Sequence, residues 1–270
     1  MIKDITFGQY LSISSPIHRL DARIKLVLTV AFIVMLFSTD SPYGIGITIL
    51  FCIILFSLAH VPIKMAWRSI KPIIPIIIFT SLLNMLFLDG DPLITIWKIT
   101  ITKQGILRSV LLSLRIICLI AGSSLLTYTT APIELTDAIE RLFSPLKHIG
   151  LPVHEFAMMM SIALRFIPTL IEETDKIMSA QKSRGAELDT GTFSQRIKAL
   201  VPVLVPLFIS AFRRADELAL AMECRCYRGG EGRTRLRQSK LGKNDAIAVI
   251  CFIFVFAAVL LTTKLLPPLF

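Results

Sequence analysis

The chain has 270 residues, of which 54% are hydrophobic and only 18% charged, and its mean hydropathy is +0.72. This is more apolar than the roughly 45–50% of ordinary soluble domains, so the composition excludes that class and points to a polytopic membrane protein. The net charge of +10 fits basic cytoplasmic loops better than a nucleic-acid partner.

The first eleven residues are polar, and no removable signal segment is expected. A spanning helix needs about 20 mostly apolar residues, and five such segments are expected. The first, 26–39, is short but uncharged, and Arg23 and Lys25 can extend it by snorkelling. The second covers 41–59. The third, 72–88, carries Pro72 and Pro75 near its start, where proline is tolerated. The fourth, 106–130, is interrupted by Arg115, which is expected to pair with carbonyls or headgroups rather than a substrate. The fifth, 246–263, is closed by Lys264 and two prolines.

The flanking charges set the expected orientation. Lys3, Arg19, Arg23 and Lys25 precede the first span, and Lys64, Arg68 and Lys71 fall in the loop between the second and third. The loop between the first and second has no lysine or arginine. Lys98 and Lys103, with Arg108 at the edge of the fourth span, are offset by Asp89 and Asp91. The bias puts the N-terminus and the long segment between spans four and five in the cytoplasm, and the C-terminus outside. The expected organisation is a four-helix membrane domain (1–130), a coupling-helix domain at the cytoplasmic face (131–243) and a C-terminal spanning helix (244–270).

The segment 131–243 is too polar to be a set of ordinary spans and too apolar for a loop. "PIELTDAIERLFSPLKHIGLP" reads as a short amphipathic helix with Leu135, Ile139, Leu142 and Phe143 on one face, broken by Pro145, Gly150 and Pro152. Two long units follow, each an apolar, proline-bent half-helix leading into an amphipathic half. The first bends near Pro168 and ends at Gly185; the second contains Pro202 and Pro206 and ends near Gly229. The apolar halves, near 153–168 and 199–212, are each shorter than a comfortable span. They either lie at the interface or form two more short crossings, which leave the orientation unchanged.

Both units end alike, in "AQKSRG" and "AMECRC". Residues four apart share a helix face, so Ala180 lies behind Arg184 and Ala221 behind Arg225. A small residue admits a neighbouring surface, and the arginine beyond it offers a planar fork of donors for carboxylates and carbonyls. Such tips suit two partner proteins, or two halves of one dimer. An arginine in a last turn also complements the helix dipole, by ~0.3–1 kcal/mol; duplication on matching ends favours docking over that local role.

Other chemistry finds little support. His154-Glu155 begins an H-E-x-x-H pattern, but Met158 stands where the second histidine belongs. Glu172-Glu173 reads as the solvated face of an amphipathic helix. Cys224 and Cys226 lack the further ligands that zinc requires, and no metal or cofactor is expected. No G-x-x-x-x-G-K-[ST] loop occurs, so any ATP-driven work needs another chain. The spans hold almost no acids, which disfavours a self-sufficient carrier, and a membrane enzyme lacks its catalytic set.

The stretches "HRLDARIKL" (18–26), "TTAPIELTDAIERLFSPLK" (129–147), "LPVHEFAMMMSIALRFIPTL" (151–170), "AQKSRG" (180–185) and "FRRADELALAMECRCYRGGEGRT" (212–234) resemble the T component of energy-coupling factor (ECF) transporters, the EcfT/CbiQ family. The likeness covers nearly the whole chain. It implies an all-α, multi-pass plasma-membrane protein that is not an enzyme, with long, proline-bent coupling helices on the cytoplasmic side. It also implies two ABC-type ATPase partners and a membrane-embedded, substrate-binding S component. The family's two Ala-Arg-Gly motifs dock on the ATPases. Ala180, Arg184 and Gly185 match the first, and Ala221 and Arg225 match the second, with Cys226 in the usual place of glycine. Ala22 replaces a proline common in the family's N-terminal stretch, which is expected to affect loop rigidity. The flexible Met158, Met159 and Met160 are candidate contacts for S components. Arg165 is expected to bond carbonyls or headgroups. The resemblance implies uptake of vitamins or other micronutrients; a dedicated cobalt or nickel permease is the alternative within the family.

Overall fold

The computed structural model describes residues 10–39, 41–87, 92–96, 99–186, 192–229 and 242–265. Lys3, Asp89, Asp91, Lys98, residues 230–234 of the last quoted stretch, Pro267 and Pro268 lie outside the described residues. In chain order the elements are α1 (Ala22–Phe37), α2 (Pro42–Ala59), α3 (Ile63–Ile70), α4 (Ile74–Phe87), β1 (Pro92–Ile96), β2 (Ile99–Thr102), α5 (Lys103–Thr129), α6 (Pro132–Phe143), α7 (Val153–Ser183), α8 (Phe193–Cys224) and α9 (Lys243–Leu265). Single 3₁₀ stretches, Lys71–Ile73 and Ser144–Ile149, follow α3 and α6.

Among the described residues the fold is helical apart from one antiparallel hairpin, in which Ile96 pairs with Ile99 and Thr95 with Thr100. The hairpin stands where a plain loop is expected between the third and fourth spans. Its run of isoleucine and threonine is β-branched, which suits a pleated strand.

Among the described residues five helical runs are long and apolar enough to cross a bilayer: Pro42–Ala59, Ile63–Phe87, Lys103–Thr129, Val153–Ser183 and Lys243–Leu265. Four overlap the expected spans. The fifth differs: α1 has 16 residues, about 24 Å at 1.5 Å per residue, short of a core of roughly 30 Å. By length and composition α7 qualifies in its place. The third run also starts earlier than expected, because α3 passes through the 3₁₀ turn at Pro72 into α4. Lys64, Arg68 and Lys71 therefore stand on helical backbone rather than in a loop.

Contacts divide the chain into two units, Gly8–Ala138 with Gln238–Phe270, and Ile139–Arg237. In the first, α1, α2, α5 and α9 share a core of Phe32, Met35, Leu36, Cys52, Cys118, Phe252 and Val259. Close approach of α1 to α5 depends on Gly122, where an added Cβ would lie 2.2 Å from the Phe32 ring. Around this core Val34, Phe37, Phe79 and Phe254 face outward, as a lipid-facing surface requires.

The "HRLDARIKL" stretch holds the ends of this bundle together. Asp21 caps α1 by accepting from the Arg23 N–H at 2.9 Å, and its carboxylate takes the Arg23 guanidinium at 2.7 Å. Its own N–H donates to Asp245 Oδ1 at 2.9 Å. The other oxygen of Asp245 accepts the Gly242 N–H at 2.7 Å, reaching back to cap α9. Lys25 is buried and donates to the carbonyls of Thr129 at 2.8 Å and His18 at 3.2 Å. Burial, then the nearby Lys25 charge, holds the His18 imidazole below its ordinary range. Ala22 is the first helical residue of α1, so this position is a helix start rather than the loop expected there. Arg115 donates to the Thr39 carbonyl, as expected of a structural arginine.

Candidate partner-docking site

The second unit is built on α7 and α8. Both run through their prolines as continuous helices. Each proline lacks an N–H and frees a carbonyl one turn back. Pro206 frees that of Pro202, which faces the Gln181 side-chain amide at 3.5 Å. Glu173 accepts from Arg214 at 2.7 Å and from Ser210. Tyr227 donates to the Met158 sulfur at 2.9 Å. Early residues of α7 thus meet late residues of α8, and the reverse, so the pair is antiparallel. The Arg184 tip and the Arg225 tip lie at opposite ends, ~40 Å apart at the helical rise.

The tips are closed in the same way. At the first, the Gly185 N–H bonds the Lys182 carbonyl at 3.0 Å and the Ala186 N–H bonds that of Gln181 at 3.0 Å. At the second, the Cys226 N–H bonds Glu223 at 2.8 Å and the Tyr227 N–H bonds Met222 at 3.0 Å. Both are Schellman caps, which need a left-handed residue after the helix. Gly185 supplies it at φ +85° and Cys226 at φ +56°. Cysteine therefore keeps the cap geometry, at a local cost of about 1 kcal/mol. Ala180, Arg184, Ala221, Arg225 and Cys226 are all exposed.

The methionines separate. Met159 and Met160 point outward, 56% and 52% exposed, whereas Met158 is half-buried beneath Tyr227. Three consecutive helical residues fan out over some 200°, so they cannot share a face. A larger apolar face was missed. Val201, Leu204, Val205, Phe208, Ile209 and Phe212 are all exposed and recur at helical spacing along α8. Periodicity alone signalled the stripe but not which way it faced. On α6, Ile139 and Phe143 are likewise exposed.

The polar pairs have structural partners. His154 Nδ1 meets Glu140 at 3.0 Å. Of the two acids, Glu172 is exposed and Glu173 joins α7 to α8. Arg165 is exposed and lines a cleft of about 680 Å³ with Met158, Arg225, Cys226, Tyr227 and Arg228. It bonds no carbonyl among the described residues.

Five helical runs long and apolar enough to cross a bilayer, among the described residues, define the class: a multi-pass membrane protein. The family described as CbiQ, cobalt transport protein, matches residues 13–236. The energy-coupling factor transporter transmembrane protein EcfT of Acidaminococcus fermentans is 52% identical over 257 residues, covering 95% of this chain and 96% of the relative. That of Clostridium kluyveri is 50% identical over 253 residues, covering 93% and 94%. That of Bacillus subtilis is 46% identical over 261 residues, covering 96% and 98%. This chain belongs to that family, the transmembrane components of energy-coupling factor transporters.

Proposed function

We propose that the chain couples ATP hydrolysis by two cytoplasmic ABC-type ATPases to reorientation of a membrane-embedded S component that carries a vitamin or another micronutrient. The duplicated, identically capped tips carry this reading. Each presents an arginine beyond an alanine, one at either end of the α7–α8 pair, so two ATPase subunits can be held at once. ATP binding closes the ATPase pair and moves the tips, and the helices pass that motion to the S component. The α8 apolar stripe, with Met159 and Met160, is the face offered to the S component or to the membrane surface.

The antiparallel register also favours α7 and α8 lying along the cytoplasmic interface. Each helix has an apolar first half and a charged second half, so each end of the pair mixes one of each. A hairpin crossing would bury charged turns at bilayer depth, where each costs several kcal/mol. A second reading, a dedicated cobalt permease, draws on the family's description as a cobalt transport protein.

The test is charge reversal at both tips. Arg184→Glu with Arg225→Glu weakens ATPase co-purification by at least about 30-fold and stops ATP-driven uptake, while membrane insertion is unchanged. Normal uptake by the double variant sinks the docking role.

A further inference from the structure

The two tips share a cap but not a setting. After Arg184 and Gly185 the sequence continues Ala186-Glu187-Leu188-Asp189; after Arg225 and Cys226 it continues Tyr227-Arg228. At the second tip the antiparallel register brings Arg165 of α7 to the same cleft as Arg225 and Arg228. All three guanidiniums are exposed. Among the described residues no carboxylate pairs with any of them, whereas Arg214 of the same helix is paired with Glu173. Ser161 adds a hydroxyl to the wall, and the Tyr227–Met158 bond fixes the turn that carries Arg228. Three like charges around one cleft give it a positive potential that favours an anionic occupant.

We propose that Arg165, Arg225 and Arg228 form a single carboxylate-accepting cleft that takes acidic side chains of the ATPase docked at the α8 tip. The planar forks suit bidentate grip on carboxylates. This rests on the docking role proposed above and adds two residues outside the repeated motif. Arg165 is separated in sequence from the tip and reaches it only through the register of α7 on α8.

The test uses the full chain in nanodiscs and the ATPase pair, with affinity measured across a salt series. Arg165→Gln with Arg228→Gln lowers affinity at least about tenfold at low salt and flattens the salt dependence. Arg165→Lys with Arg228→Lys retains the salt dependence. Retained melting temperature and insertion of the Gln pair exclude misfolding as the cause. If the Gln pair binds as tightly as the parent, with the same salt slope, while Arg225→Glu still abolishes binding, the cleft is wrong and tip docking stands. If Arg225→Glu also has no effect, tip docking itself fails. A loss seen only in nanodiscs containing phosphatidylglycerol, and absent in neutral ones, assigns the cleft to lipid phosphate and overturns the proposal.

Discussion

The bundle of α1, α2, α5 and α9 and the antiparallel pair of α7 and α8 use charge in opposite ways. In the bundle, charged groups are spent internally. Asp21 holds Arg23 and meets Asp245 through its N–H, Lys25 fills two backbone carbonyls, and Arg115 reaches Thr39. In the pair, the interhelical ion pair of Glu173 with Arg214 sits part-way along, while Arg184 and Arg225 stand exposed on left-handed caps. Buried charge that is fully bonded specifies one arrangement of a fold. Charge exposed on a rigid tip is free to bond another chain. The difference separates residues that hold the protein together from residues left available for the proposed partners.

The contrast can be broken first at Gly122. Leucine there drives atoms into the Phe32 ring, and the bundle should lose about 2–3 kcal/mol, read as a lowered melting temperature in detergent. Adding Phe32→Ala should recover part of the loss. ATPase binding per folded molecule should not change.

Asp245→Asn is a slightly smaller perturbation. The carboxylate accepts two backbone N–H groups, from Asp21 and Gly242. An amide keeps one acceptor and turns a donor toward the other N–H, which costs about 1.5–2.5 kcal/mol. The start of α9 should then exchange its amide hydrogens faster, with the α7 and α8 tips unaffected.

At the pair, Cys226→Gly should give the smallest effect and the opposite sign. Glycine removes the left-handed strain and should slow hydrogen exchange at the Tyr227 amide, a gain of at most about 1 kcal/mol. Docking should survive, because the cap is the same. Loss of docking in this variant would mean that the thiol itself contacts the partner.

Much of this was legible in the sequence, for reasons that differ by element. Long apolar runs revealed α2, α4, α5 and α9, because a bilayer imposes length and composition directly. The tips were legible because Ala-x-x-x-Arg repeats on two helices that end in turn-forming sequence. The hairpin was hidden by its brevity, and α3 by a proline that a 3₁₀ turn accommodates. The cap at Cys226 was illegible because cysteine rarely takes positive φ, and only the hydrogen-bond pattern of Glu223 and Met222 reveals it. The antiparallel register of α7 on α8 left no local trace. It depends on contacts between residues 21 to 69 positions apart, from Gln181 with Pro202 to Met158 with Tyr227. That register carries Arg165 to the second tip and sets Met158 beneath Tyr227, so the composition of the candidate site was the least readable part.

The central claim is that the tips at opposite ends of one helix pair each engage an ATPase subunit. Photocrosslinking tests it most directly, with a crosslinker placed in turn at Ala180 and Ala221 in the assembled membrane complex. The account predicts that each position captures an ATPase subunit, and that a probe at Glu172, midway along α7, captures none. Capture from only one tip, or from Glu172 as efficiently as from the tips, would contradict it.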